Sequence, residues 1–589
     1  MPRDSTTQRK RPSDGQSAGR PAGPRPRDAA RGPVTLPYAA VFTQTMPPIG
    51  VLREHWYWIV LAILLPVTAL AFLPAFTADF VRWDDPDYVM FNKLIQTWGG
   101  LKELWNPNSD KIQQYYPLVF SSYLLEYMLG AHDAAGKPTA TVYHVTNVIL
   151  HLLNTGLVLL LARKLGASRG VAAFVAAVFA LHPAQVASVV WIAERKNTLS
   201  GLFYVLSILA WLRFRRTTSW FSYAACLLAF LAGMLSKTQI LTLPITLLLL
   251  ELWKRPTPAD SRAAPAPGGF RPRALIGIFA LLVPMLIVGG LAAKTTTRVE
   301  KMNGPSRDPS SISTPQQRPF VVATAAWHYV STFLAPVDLA IVYPRWKVPG
   351  AGGLGSNPKW LLAPLGWMVV AGLVLWQWGR IDGMVKWGVA QFFLIVSPAL
   401  GVIPYNYQQY SFVADHFLYL ATIGGALAVG RAVERGVDAA TRSDEAGAGK
   451  LRGIVAAVAV LLFVAAAAKT NIESTYWREN EVFWRRAIVK NGDCFPAFYN
   501  LGNHYARQQP PEWKEAAECY KESHRVQPEN GKAFENYARA IAVTRGPAEA
   551  INLCDQKLGD PKTSPKVRMV AQAIKEMMQG KRPLAPGWR

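Results

Sequence analysis

Residues 56–89 read WYWIVLAILLPVTALAFLPAFTADFVRWDDPDYV. From Trp56 to Phe76 no side chain is charged, and a helix of roughly 20 apolar residues crosses the hydrocarbon core of a bilayer. Just beyond it, Asp84, Asp85 and Asp87 put three carboxylates into four positions. A span that delivers a cluster of acids to the interface sets the class of the whole chain and poses its functional question.

Apolar runs of the same kind recur at 142–162, 171–191, 198–214, 219–235, 238–253, 274–293, 360–379, 384–403, 415–432 and 452–470. Together with the first they predict about 11 spans. Composition agrees: of 589 residues, 51% are hydrophobic and only 17% charged, a balance unlike that of a soluble enzyme. Residues 1–53, rich in Arg, Pro, Gly and Ser, carry too little apolar surface for a core and are expected to be a disordered basic segment. They do not read as a signal peptide, because the run that follows is longer than an h-region and lacks a small-residue cleavage site. The expected fold is all-α: a polytopic helical membrane domain over 54–471, followed by a polar helical domain over 472–589.

The formal charge of +25 gathers in the first 53 residues and in short loops between spans. Topology accounts for it, and no nucleic-acid partner is expected. Nine Lys or Arg through Arg53 keep the N-terminus cytoplasmic, which sets the acids on the outer face. Segment 319–343 then decides the side of the tail; it is long enough to cross but is interrupted by Trp327, His328 and Pro336. If it crosses, the later inner loops keep three cations, Arg345, Lys347 and Lys359; if it lies at the interface, they gain seven, from Arg380 to Arg452. Seven against three favours the second arrangement, with the tail on the outer face. Five Lys or Arg in 294–318 lie outside in either case and argue the other way.

The tail repeats. NLGNHYARQQPPEWKEAAECYKESHRVQP begins at Asn500, and NYARAIAVTRGPAEAINLCDQKLGDP begins 36 residues later. Leu501, Gly502, Tyr505, Ala516, Tyr520 and Pro528 fall on the positions of a tetratricopeptide repeat, and Tyr537, Ala538, Ile541, Ala550 and Cys554 repeat the register. Stacked helix pairs commonly present a concave groove to extended peptide. So few repeats serve equally to cap the membrane body or to hold a partner. The cysteines, Cys226 and three in the tail, show no metal spacing and do not fix the compartment.

Three constellations have the chemistry of a site. Asp before Pro at Asp85–Pro86 marks a turn, but near the bilayer desolvation and mutual repulsion raise a carboxylate toward the range of a general base. Asp84 and Asp85 are the candidate pair, with Asp87 supporting them. LHPAQVASVVWIAERKNTLSG, 181–201, brings His182, Glu194, Arg195 and Lys196, and GMLSKTQ brings Lys237. A solvated turn and a histidine beside a Pro kink are the plain readings. Cations on an outer face are disfavoured, however, and Arg195, Lys196 and Lys237 beside the acids suit a phosphate headgroup. In the third, YNYQQYSFVADHFLYL, Asp415 and His416 begin a span after an aromatic loop; helix capping and a sugar or acceptor pocket with Tyr405, Tyr407 and Tyr410 both fit. No nucleotide loop, dinucleotide fingerprint, nucleophile triad or zinc spacing occurs.

In order and spacing, FVRWDDPDYV, YYPLVFSSYLLEYMLG, YHVTNVILHLLNT, FALHPAQVASVVWIAERKNTLSG, GMLSKTQILTLP, APVDLAIVYP and VADHFLYL, followed by the repeats, resemble the transmembrane O-mannosyltransferases that carry tetratricopeptide repeats, and their bacterial relatives. These are C-type membrane glycosyltransferases, and the resemblance spans about residues 75–560. It implies a polyprenyl-phosphate-linked sugar, mannose in that family, as donor and Ser or Thr of exported protein as acceptor, with inversion at the sugar. By position the acidic pair is Asp84 and Asp85, with Arg195, Lys196 and Lys237 on the leaving phosphate. Two departures stand out: Asp415, His416 and Phe417 replace the family's Asp-Arg-Tyr, and the repeats number barely two and a half.

Two other functions fit the same features. One is a non-catalytic scaffold that uses the repeats to organise envelope proteins; the other is a transporter or polymerase for lipid-linked glycans. No resident cofactor is assigned; an acidic pair without His suits a divalent cation and a base with its neighbour equally. The expected location is a bacterial plasma membrane.

Overall fold

The computed structural model describes residues 55–253, 272–303, 313–348, 358–442 and 445–583. The expected disordered segment 1–53 lies outside the described residues, as does most of the basic loop 254–273. The described chain is helical without a strand; an isolated bridge pairs His132 with Pro138.

The body runs through α1 (His55–Ala71), α2 (Pro117–Met128), α3 (Ala140–Lys164), α4 (Arg169–Leu181), α5 (Arg195–Thr217), α6 (Trp220–Met234) and α7 (Leu243–Trp253). It continues with α8 (Pro272–Asn303), α9 (Arg318–Leu334), α10 (Leu362–Trp376), α11 (Gly383–Val396), α12 (Ala421–Ala440) and α13 (Glu445–Thr475). By length and composition, helices at 140–164, 192–217, 276–302, 359–376 and 447–475 are able to cross a membrane. A sixth joins them if α4 and the segment Pro183–Val189, bent by 49°, count as one span. The runs at 55–71, 220–234, 238–252 and 383–399 are apolar but shorter.

The eleven expected spans are therefore not eleven helices of spanning length. The run at 415–432 opens with a tight turn, Asp415–Leu418, and becomes helical only at Ala421. Segment 319–343 is likewise no single helix. α9 stops at Leu334, just before Pro336, whose ring and missing N–H bar continuation, and 335–348 leaves the helix as a strap.

Local chemistry sets the bend that matters. Ser168 caps α4 by accepting from the Val171 amide, and the helix ends at His182 because Pro183 follows. The chain then turns through Pro183–Val189 and 192–194 into α5, burying 191–197 inside the body. Around it α3 packs on α4 and α5, α11 on α12, and α12 on α4. A Cβ at Gly388 would lie 2.5 Å from the Gly424 carbonyl, so small residues permit the close approach of α11 and α12. Several polar groups within the bundle find partners there: Tyr419 Oη lies 3.1 Å from His151 Nδ1 and accepts from Asn154 at 3.0 Å.

The tail consists of α14 (Asn480–Lys490), α15 (Phe495–Tyr505), α16 (Trp513–Val526), α17 (Gly531–Arg545), α18 (Pro547–Gly559) and α19 (Pro565–Met578), each packed on its neighbour. Its cysteines are free thiols. Docking of α14 is specific. Asn480 Oδ1 accepts from the Arg82 amide at 2.7 Å, and its Nδ2 donates to the Phe80 carbonyl at 2.9 Å. The Asp79 amide donates to Arg478 O at 2.9 Å. The tail and the acidic stretch thus share one side of the helical body.

Candidate active site

Asp85 is fully buried. Its Oδ2 accepts from the Val81 amide at 2.8 Å and its Oδ1 from the Ala193 amide at 3.0 Å. Both oxygens are committed, and the carboxyl clasps the acidic loop to the turn before α5. Burial pushes its pKa up to about 8, against the effect of the two amides. Asp84 differs. It is partly exposed, and among the described residues its carboxylate has no hydrogen-bond partner. Desolvation, opposed by Lys196 and reinforced by Glu194 and Asp87, pushes it up to about 6. Asp87 stands exposed at the rim.

Facing Asp84 is a buried Glu-Lys-Lys cluster. Glu194 Oε1 lies 2.9 Å from Lys196 Nζ, and its Oε2 lies 3.2 Å from Lys237 Nζ. Lys196 also donates to Tyr88 Oη at 3.3 Å, with its ammonium 5.2 Å from that ring. Lys237 donates to Asn197 Oδ1 and lies 5.4 Å from the Phe417 ring. An ammonium has three N–H groups, so each lysine has one left after the two partners named. Burial lowers Lys237 to about 8, although Glu194 acts to raise it.

Arg195 does not join them. It is wholly buried and points the other way: Nε donates to Asn147 at 2.8 Å, Nη2 to the Tyr143 carbonyl at 2.8 Å, and Nη1 to Ser122 at 3.1 Å and to Glu126. Tyr123 lies under the guanidinium at 4.4 Å. His182 is also elsewhere; Nδ1 accepts from the Ala184 amide at 3.2 Å and Nε2 lies 3.0 Å from the Phe333 carbonyl. Asp415 is no helix cap, since its Oδ1 accepts from Tyr343 Oη at 2.8 Å. His416 lies within electrostatic reach of Glu194, with its ring 4.2 Å from that of Phe417.

The aromatic loop is packed rather than open. Trp83 touches Trp191 (5.9 Å), Tyr407 (6.3 Å), Tyr410 (6.1 Å) and Trp484 (5.4 Å, stacked). Trp83, Trp191 and Tyr407, together with Asp415 and His416, line a cavity of about 10 Å³, too small for a sugar. Tyr405 turns its hydroxyl to the Ala399 carbonyl at 3.4 Å. Among the described residues no group of three or more His, Cys, Asp or Glu is placed to hold a metal ion. Asp85 answers instead to two backbone amides and Glu194 to two lysines.

Sequence reasoning missed several members. Asn197 bridges Glu194, Lys237 and the His416 carbonyl. Glu300 on α8 hydrogen-bonds Tyr116 and lies within electrostatic reach of Lys196. Glu126 carried a legible signal, a lone acid in the apolar stretch YYPLVFSSYLLEYMLG. Glu300, within RVEKMN, looks like a solvated helix end and carried none.

Known proteins bear on these motifs. The chain is similar to protein O-mannosyl-transferases. Tmtc1 of Drosophila melanogaster is 31% identical over 193 residues, covering 31% of this chain and 22% of its own length. Tmtc2 of Xenopus laevis is 33% identical over 127 residues, covering 22% and 14%. Human TMTC4 is 25% identical over 189 residues, covering 28% and 24%. The matched stretches thus span less than a quarter of those relatives. No protein-family model matches the chain. Among solved structures, the oligosaccharyltransferase of Archaeoglobus fulgidus tethered to an acceptor peptide aligns over 80% of this chain and 59% of its own, with a TM-score of 0.39 and 14% identity.

Proposed function

We propose that the protein is a membrane glycosyltransferase that moves a sugar, mannose by its similarity to the O-mannosyl-transferases, from a polyprenyl-phosphate donor to Ser or Thr of exported protein. The observation that carries this is Asp84: a desolvated carboxylate without a hydrogen-bond partner among the described residues, within electrostatic reach of Lys196, which shares Glu194 with Lys237, each lysine keeping a donor. Asp84 accepts the proton of the acceptor hydroxyl as that oxygen bonds to the anomeric carbon. The bond from that carbon to the lipid phosphate breaks on the opposite face, inverting the centre. The phosphate leaves with the bonding pair, and the remaining N–H groups of Lys196 and Lys237 stabilise its charge. Asp85, Glu194 and Arg195 position these groups and do not react. The body sits in a bacterial plasma membrane, with the acidic loop and the tail together on its outer face. The tail, read as a tetratricopeptide-repeat domain over 472–589, takes part in receiving the acceptor.

The test is transfer of labelled mannose from polyprenyl-phosphate-mannose to an extract of exported proteins, comparing wild type with the Asp84→Asn, Asp85→Asn double variant at equal membrane abundance. Protein-bound label from wild type alone is the expected result. Equal label from both would move the base elsewhere, and none from either would remove the donor assignment.

A further inference from the structure

A second and much larger cavity lies between body and tail. It encloses about 840 Å³, within the range of roughly 300–1,000 Å³ typical of ligand pockets. Three elements wall it: the strap at 344–348, the loop at 406–412 and the tail at 491–496 and 525–529. The strap runs without helix, with Pro344, Arg345 and Lys347 exposed. Trp346 stacks on Phe412 at 5.6 Å, and the Arg345 guanidinium lies 5.0 Å from the same ring. The cleft is held open by tethers at both sides. Gln317 Nε2 donates to the Val348 carbonyl at 3.1 Å, Asn491 Nδ2 to the Tyr343 carbonyl at 3.3 Å, and Lys490 pairs with Asp338. A preformed cleft avoids part of the ordering cost of binding.

Its chemistry selects the occupant. Cations (Arg345, Lys347, Arg525) and acids (Asp493, Glu529) alternate with aromatic faces, a lining that would strand charges against a lipid tail. The mixed charged, amide and aromatic lining suits a polypeptide, which brings both backbone polar groups and varied side chains to such a surface. Position completes the case. Tyr410 lines the cleft, and its ring also meets Trp83, the residue before Asp84. On the glycosyltransferase reading, we propose that this cleft binds the acceptor polypeptide as an extended segment between strap and tail, and that Tyr410 and Trp83 form the wall along which its hydroxyl residue reaches Asp84.

The experiment uses the full chain in lipid nanodiscs and a degenerate peptide library, each member bearing one Ser or Thr and one benzoylphenylalanine. After irradiation, adducts are mapped by mass spectrometry, and mannose transfer to the same library is measured in parallel. Adducts at 344–348, 406–412 and 491–496 are expected. Gln527→Trp, which fills the cleft, and Lys347→Glu, which alters its rim, should each lower labelling about tenfold, a loss of about 1.4 kcal/mol in binding. Asp84→Asn should leave labelling unchanged while transfer stops. Transfer without adducts in the cleft, or labelling indifferent to both cleft variants at an unchanged unfolding temperature, would overturn the cleft and leave the enzyme reading intact. Cleft adducts without transfer by wild type would overturn the enzyme reading instead, and a second copy of this chain cross-linked there would replace the proposed occupant.

Discussion

Trp484 of the tail stacks on Trp83 of the acidic loop, with ring centroids 5.4 Å apart and planes 30° from parallel. Four residues before Trp484, Asn480 holds the backbone on either side of Val81 with both ends of its amide. The tail therefore shapes the loop that carries Asp84, in addition to whatever it binds.

Asn480→Ala leaves the Arg82 N–H and the Phe80 carbonyl without these partners, at about 1–3 kcal/mol for the buried carbonyl and less for the part-buried N–H. Sugar transfer is expected to fall about tenfold, the equivalent of about 1.4 kcal/mol at the barrier, while limited trypsinolysis shows the tail helices still folded. An unchanged rate would show that the tail docks without governing the acids.

Asp84 and Asp85 separate by readout. Asp84→Asn is expected to lower kcat by about 10²–10⁴, the contribution of a general base, with the thermal midpoint preserved. Asp85→Asn turns an NH₂ toward one of the amides of Val81 and Ala193, and that clash of donors costs about 1–3 kcal/mol, seen as a lower midpoint. The opposite pattern would assign the base to Asp85.

The pH profile is set first by the two groups that meet the reactants, Asp84 and Lys237. Asp84 accepts a proton only when ionised, so kcat/KM rises as pH passes about 6. Lys237 stabilises phosphate only when protonated, so the rate falls above about pH 8. A bell between these limbs is expected, and Lys237→Arg should move the alkaline limb upward because a guanidinium keeps its charge, leaving what the ionisation of Asp85 at about 8 contributes. A profile flat from pH 5 to 9 would sink both assignments.

Arg195 and Lys196 are neighbours with opposite fates. Arg195→Leu strands Glu126 in the interior, and breaking a buried pair costs about 3–5 kcal/mol, so folded protein recovered from membranes should drop sharply. Lys196→Gln leaves Glu194 still paired with Lys237 and should raise KM for the lipid donor with the fold retained. Donor KM unchanged in Lys196→Gln would take the phosphate away from this lysine.

That contrast also marks where sequence reading stops. Outer-face cations beside an acidic pair pointed to Asp84, Glu194, Lys196 and Lys237, and the structure brings these four together. Arg195 meets the same criterion of an outer-face cation, yet successive side chains on a helix point about 100° apart, and here one faces Glu126 and the other Glu194. The break at Pro336 was legible in the sequence, whereas the one at Pro183, inside the run 171–191, was not counted against a continuous span. Glu300 stayed hidden because its relation to Lys196 exists only once α8 has packed.

The amide of Asn480 has a consequence in time. A ribosome adds about 5–20 residues per second, so some 400 residues between Phe80 and its clamp take about 20–80 s to make. Through that interval the acidic loop is already threaded beside the bilayer but lacks its brace. Completing the chain is then the event that braces it: a truncated or stalled product would carry every acid and lysine of the site without the tail's hold on the backbone at Phe80 and Arg82.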